Sequence, residues 1–260
     1  MRYKMIDSHC HMENPKYQGN VDDLIRDCVD EGIIAMVNTG YDIPSSKQSI
    51  LLSEKYEQVY ATVGIHPHDA KESQQGYLNQ LGDLSKNSKV VAIGEIGLDY
   101  YYDLSPRETQ KMVFAQQLSL SFDLKKPFVI HQRDAMGDML SIIDDFPNPI
   151  NGGVFHCYSG SLETAKELVK KGYMLSIGGP ITFKNAKKTV EVVKNIPLEY
   201  LLVETDCPYL TPEPYRGKLN YPYYVKYVIE KIAQIKGVEP EEVAAKTTTN
   251  ANKFFRLGLK

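Results

Sequence analysis

The chain contains no tryptophan, and its four cysteines are scattered among 260 residues. So few cysteines exclude a disulfide scaffold and favour a reducing compartment. No apolar run approaches the roughly 20 residues that a membrane-spanning helix needs. The polar residues Asp7 and His9 interrupt the first apolar run, so that run does not predict a signal peptide. We therefore expect a cytoplasmic protein without a membrane segment.

An excess of positive charge is also missing. The 30 basic residues are outnumbered by 33 acidic ones, which gives a net charge of −3. Binding of nucleic acid therefore cannot be inferred from the bulk charge, and any affinity for phosphate must arise locally. Apolar residues make up 42% of the chain, enough for one large core.

Short apolar runs alternate with segments of helical spacing throughout the chain. The runs predict strands near residues 4–9, 33–39, 59–65, 90–95, 127–131, 152–156, 173–178 and 200–205. Helices are predicted over residues 21–31, 44–56, 76–86, 106–124, 134–145, 161–171 and 185–194, with two more over 221–236 and 240–255. Eight such units predict a (β/α)8 TIM barrel of the α/β class, formed by residues 1–260 as a single domain. A doubly wound sheet is the alternative.

Side chains of the types that bind metal ions lie at the ends of several of these runs. His9 and His11 alternate at the end of the first run, so both point to the same face. The other candidates that end apolar runs are His66, His68, Glu95, His131, His156, Glu204 and Asp206. Ligands gathered at the carboxyl ends of parallel strands are typical of a barrel active site. A doubly wound sheet would not bring the ends of strands one, four, five, six and eight to one point.

Six of these residues form a candidate metal-ligand set: His9, His11, Glu95, His131, His156 and Asp206. One ion needs three or four protein ligands and an open position, so six ligands suggest two divalent ions. Glu95 is the natural bridge, because a carboxylate can offer one oxygen to each ion. We expect His9, His11, Glu95 and Asp206 on one ion, and Glu95, His131 and His156 on the other. Carboxylates suit Mg or Mn, whereas the imidazoles favour Zn, Ni or Fe.

Three cysteines adjoin these ligands, namely Cys10, Cys157 and Cys207. A residue next to an inward-facing ligand on a strand points toward the surrounding helices. There, a free cysteine acts as a small apolar residue. We therefore expect structural thiols rather than metal ligands.

Motifs along the whole chain resemble those of the TatD-type metal-dependent deoxyribonuclease family, in the amidohydrolase superfamily. They are Asp7–His11, Gly64–His68, Gly94–Tyr100, Arg107 with Gln110, Phe114 and Gln117, Pro127–Arg133, His156–Gly160, Glu204–Leu210, and Arg216–Lys218 with Asn220 and Pro222. The resemblance implies a metal-bearing barrel and the same six ligands. It also implies substrate contacts near His66 and Arg133.

The remaining site residues follow from the chemistry of hydrolysis. A metal-bound water loses its proton near neutral pH, and Asp206 is the candidate to orient or deprotonate it, with Glu204 as a supporting or substitute base. Glu95 completes the catalytic set. Arg133 and Arg216 could bind phosphate oxygens, although Arg133 could instead pair with a nearby aspartate.

Two residue types have alternative roles. His66 is assigned to substrate phosphate or the leaving group, with a structural hydrogen bond as the alternative, because Pro67 prevents strand alternation from deciding the direction of its side chain. Tyrosines 100–102 could stack on unpaired bases. For any single tyrosine, however, a boundary role is the expectation.

Together these features predict a monomeric phosphodiester hydrolase acting on DNA, in particular a 3′-5′ exonuclease on single-stranded ends. The same metal centre could polarise a carbonyl group. An amide or ester hydrolase, for example an aminoacyl-tRNA deacylase, is therefore the alternative function.

Overall fold

The computed structural model describes residues 3–18, 20–149 and 152–259. The two ends of the predicted single domain, residues 1–2 and 260, lie outside the described residues. Eight strands hydrogen-bond in the order β1 to β8. They are β1 Met5–Cys10, β2 Ile33–Thr39, β3 Val59–Val63, β4 Val90–Asp99, β5 Phe128–Arg133, β6 Gly153–Phe155, β7 Tyr173–Ile177 and β8 Leu201–Val203.

A helix follows each strand. The helices are α1 Val21–Asp30, α2 Ile43–Lys55, α3 Tyr77–Leu84, α4 Arg107–Asp123, α5 Met136–Asp144, α6 Leu162–Lys170, α7 Lys187–Asn195, α8 Val225–Lys236 and α9 Pro240–Phe255. The alternation and the strand order are those of a (β/α)8 barrel, so the predicted fold class is confirmed. None of the helices among the described residues is long and apolar enough to cross a membrane.

Two of the differences between the predicted and the observed strand ends affect carboxylates of the site. β4 runs on to Asp99, four residues beyond its predicted end, because β5 pairs with it as far as Asp99 and Arg133. β8 ends at Val203, so Glu204 and Asp206 lie in the segment after the strand. Strand alternation therefore does not determine where these two carboxylates point.

The described chain divides into two compact units. The first draws on Met1–Asn38, His156–Lys170 and Met174–Lys260. Its strand β1 is buried along its whole length, and helix α9 packs on β1 and β8. The prediction that residues 1–260 form one domain stays a prediction.

The second unit comprises Thr39–Phe155 and Lys171–Tyr173. Two buried glutamines of α4 hold its strand ends. Gln117 accepts a hydrogen bond from the backbone N–H of Ile65 and donates to its carbonyl, and Gln110 does the same for Asp99. Since buried backbone groups need partners, these glutamines fix the segments from which the site side chains project.

Candidate metal centre

In the first unit, three predicted ligands converge. The Nε2 atoms of His9 and His11 lie 3.3 Å apart. Oδ1 of Asp206 lies 3.7 Å from the first nitrogen and 3.4 Å from the second. All three donor atoms fall within 4.8 Å of one another, in a largely buried place. Two imidazoles and one carboxylate match the three protein ligands of a hydrolytic metal site.

Hydrogen bonds between two segments that are far apart in the sequence hold this group together. The buried carboxylate of Asp7 accepts hydrogen bonds from the backbone and the hydroxyl of Thr205. The backbone N–H of Asp206 donates to the carbonyl of His9, and that of His11 donates to the carbonyl of Cys207. Asp7 thus positions the ligands without being one of them.

Asp206 itself has a left-handed backbone, with φ of 54°. Aspartate tolerates this conformation better than most residues. Burial alone raises the pKa of Asp206, but the hydrogen bond to His11 and the nearby rings of His9 and His156 outweigh it and lower that pKa. The carboxylate is therefore ionised at neutral pH, as a metal ligand must be.

His156 and Glu204 lie beside this group, in the same unit. The His156 ring stacks on that of His9, with centroids 4.1 Å apart. One Glu204 oxygen accepts the N–H of Cys157 and lies 3.3 Å from Nδ1 of His156. The Glu204 carboxylate therefore lies beside the His156 ring, and its role as a supporting or substitute base stays a prediction.

Glu204 also provides a test of whether a cation fits. Its side chain is fully buried, and among the described residues its Oε2 has no hydrogen-bond partner. A buried carboxylate oxygen without a partner costs free energy unless positive charge lies near. The residues present therefore fit a divalent ion.

In the second unit, His66, Glu95 and His131 bring three donor atoms within 4.8 Å of one another. Oε1 of Glu95 lies 2.8 Å from Nδ1 of His131 and 3.6 Å from Nε2 of His66. Nδ1 of His66, however, accepts the backbone N–H of His68. In a neutral ring the proton then resides on Nε2, which makes His66 a hydrogen-bond donor rather than a ligand. This contact is a structural hydrogen bond, the alternative that the sequence left open, and the substrate role of His66 stays a prediction.

Asp99, a member of the Gly94–Tyr100 motif that was not among the predicted site residues, is central to this group. Its Oδ2 lies 2.9 Å from Nε2 of His131 and 2.9 Å from Nε2 of His68. A neutral imidazole has one N–H, so His131 cannot donate to both Glu95 and Asp99. A cation held by His131 and Glu95 would remove this conflict, because Nε2–H of His131 could then donate to Asp99.

The environment keeps Asp99 ionised. Burial by itself raises its pKa, but hydrogen bonds from His131, His68 and the backbone of Tyr102 outweigh burial and hold that pKa well below the usual value. Gly97 helps to set the geometry, because a Cβ there would lie 1.9 Å from the carbonyl oxygen of His131. Its φ of 148° also favours glycine. Only glycine lets β4 and β5 approach this closely.

The structure thus gathers the predicted ligands into one group per unit, with His156 beside the first. The expected bridge at Glu95 and the sharing of six ligands between two ions would join residues of both units, and they stay predictions.

The prediction that the cysteines are structural also stays a prediction. Cys10 and Cys207 are buried next to each other and lie close to Asp7. Burial raises the pKa of the Cys10 thiol, which disfavours the thiolate that a metal would need.

The two predicted phosphate-binding arginines both lie over aromatic rings. The guanidinium of Arg133 is 3.9 Å from the ring centre of Tyr101, and that of Arg216 is 4.1 Å from the ring centre of Phe183. Asp138, an alternative partner for Arg133, accepts a hydrogen bond from the Tyr100 hydroxyl. Arg133 adjoins the group of the second unit, since it ends β5 two residues after His131.

Comparisons with known proteins agree with this chemistry. A family model described as TatD related DNase matches residues 6–256. The chain is 44% identical over 253 residues to YabD, an uncharacterized metal-dependent hydrolase of Bacillus subtilis, covering 97% of this chain and 99% of that protein. It is 34% identical over 256 residues to the uncharacterized metal-dependent hydrolase YcfH of Escherichia coli, covering 97% and 96%.

Solved structures confirm the fold. The crystal structure of YJJV, a TatD homolog from Escherichia coli, matches with a TM-score of 0.92 at 29% identity, covering 98% of this chain and 99% of that one. A TatD family hydrolase from Entamoeba histolytica matches with a TM-score of 0.88 at 25% identity, covering 98% of each chain. The resemblance drawn from the motifs is therefore confirmed, and the chain belongs to the TatD-related DNase family of metal-dependent hydrolases.

Proposed function

We propose that this protein hydrolyses phosphodiester bonds of DNA, removing nucleotides from single-stranded 3′ ends. The observation that carries the proposal is the convergence of His9, His11 and Asp206, whose donor atoms lie within 4.8 Å of one another in a largely buried group. Divalent ions held there and at Glu95 and His131 would supply a water of lowered pKa and a positive charge for the phosphoryl oxygens. The name of the matched family, TatD related DNase, supports DNA as the substrate.

The chain's own residues then have separate tasks. Asp206 orients the attacking water and accepts its proton, while Glu204 holds His156 in place. His66 donates from Nε2 to a substrate oxygen, because its Nδ1 is already an acceptor. Arg133 binds the scissile or neighbouring phosphate through its N–H groups, which a planar guanidinium can offer in pairs.

The test uses protein stripped with a chelator and reloaded with Mg, Mn or Zn, with metal content measured for each sample. End-labelled single-stranded DNA, duplex DNA and an aminoacyl ester are then assayed side by side. The proposal requires metal-dependent shortening of the single strand from its 3′ end. Ester cleavage without DNA cleavage would contradict it and favour the amide or ester hydrolase.

A further inference from the structure

An exposed pair of aromatic side chains adjoins the metal-ligating group of the second unit. Tyr101 and Tyr102 are 58% and 54% exposed, directly after β4. Their rings are nearly perpendicular, with centroids 5.0 Å apart. Exposed aromatic rings that adjoin one another beside a functional group of residues are typical of a binding surface.

Arg133 completes this surface. Its guanidinium carbon lies 3.9 Å from the centre of the Tyr101 ring and 4.8 Å from that of Tyr102. A guanidinium stacked on a ring keeps its N–H groups in its own plane, where they can still bind an anion. The surface therefore combines flat aromatic faces with a donor for phosphate.

One buried carboxylate ties this surface to the metal-ligating histidines. The backbone N–H groups of Tyr101 and Tyr102 donate to Oδ1 of Asp99, at 3.0 and 2.9 Å. Its other oxygen faces His68 and His131. The Tyr102 ring also meets the His68 ring edge to face, at 5.4 Å between centroids. The aromatic surface is thus held in a fixed position relative to the group that contains Glu95 and His131.

We infer that Tyr101, Tyr102 and Arg133, here called the aromatic platform, bind the base and phosphate of the terminal nucleotide of a single DNA strand. Every base has a π face that can stack on tyrosine or on a guanidinium. In a duplex the terminal base is held by its pairing partner and by stacking on one neighbour, and separating it costs free energy, so the platform favours unpaired ends. The inference rests on the proposed function and names how that function recognises its substrate.

The experiment compares two single strands that differ only in the 3′-terminal nucleotide. One carries a normal base, and the other carries an abasic tetrahydrofuran residue. The ratio of kcat/KM for the two strands is measured for the wild type, for Tyr101→Leu/Tyr102→Leu and for Tyr101→Phe/Tyr102→Phe. Tyr200→Leu is the matched control, because Tyr200 is an exposed tyrosine outside this group.

We expect the wild type to prefer the base-bearing strand by about 10- to 100-fold, the range given by stacking of one base. The leucine variant should bring this ratio close to one, whereas the phenylalanine variant and Tyr200→Leu should keep it. Thermal unfolding and metal content are recorded for every variant. If the double leucine variant does not fold, the two single leucine changes replace it.

A binding measurement separates this inference from the proposed function. Fluorescence anisotropy reports the affinity of chelator-treated protein for the same two strands. Failure of the wild type to cleave either strand would refute the proposed function. The platform would still stand if binding shows the base preference and the leucine change removes it. A base preference that survives the loss of both rings, in cleavage or in binding, overturns the platform.

Discussion

Asp99→Asn should weaken the metal centre while preserving the fold. The carboxylate faces four donors, two from imidazoles at 2.9 Å and two from backbone N–H groups at 2.9 and 3.0 Å. Asparagine has nearly the same shape but only one acceptor oxygen. Its amide nitrogen must therefore face either the histidines or the backbone of Tyr101 and Tyr102, and two favourable contacts are lost.

The expected loss of metal affinity and activity follows from the hydrogen bond between Asp99 and His131. Removing a carboxylate that supports a metal-bound histidine typically costs about 10- to 100-fold in metal affinity or activity. That range equals about 1.4 to 2.8 kcal/mol, since each factor of ten is about 1.4 kcal/mol. It also agrees with the roughly 1.5 to 3 kcal/mol of a hydrogen bond to a charged group.

The assay is competition for Mn or Zn with a chromophoric chelator, alongside kcat/KM on labelled single-stranded DNA. Asp83→Asn is the control, because Asp83 is an exposed helix carboxylate paired with Lys86. The control should match the wild type in both measurements. If Asp99→Asn kept wild-type metal affinity and activity, the interpretation of Asp99 as the residue that positions His131 would be refuted.

Three further predictions concern the ligands, the phosphate contact and the thiols. Glu95→Gln should abolish turnover and lower metal content without unfolding the protein, because an amide cannot replace the carboxylate at the ion; near-normal activity would contradict this. Arg133→Lys should lower kcat/KM on DNA by about 10- to 100-fold, as about 1.5 to 3 kcal/mol for a charged hydrogen bond implies, with unchanged metal content; an equal loss on a small neutral ester would instead indicate general damage. Cys10→Ser and Cys207→Ser should keep metal and most activity but lower Tm, because a buried hydroxyl costs about 1 to 3 kcal/mol; metal loss in both variants would show that these thiols are ligands.

Much of this protein follows from local sequence pattern. Apolar runs rich in β-branched residues predict buried parallel strands wherever they occur, and helical spacing between them predicts the crossovers. Helix α9 begins and ends where predicted, at Pro240 and Phe255. His9 and His11 could be paired from the sequence, because two residues apart on one strand share a face. The alternation of predicted strands and helices made the fold class predictable. The residues at the ends of the apolar runs made the candidate ligand types predictable.

Only the tertiary structure decided which side chains meet across neighbouring segments. Asp99 faces His131 because Gly97 pairs with His131 in the register of β4 and β5, and no local pattern specifies a register between strands more than 30 residues apart. His66 and His68 follow a strand and are separated by Pro67, and Asp206 has a left-handed backbone. Outside regular structure, direction depends on each residue's own φ and ψ and on its tertiary partners, which the repeating geometry of a strand does not supply.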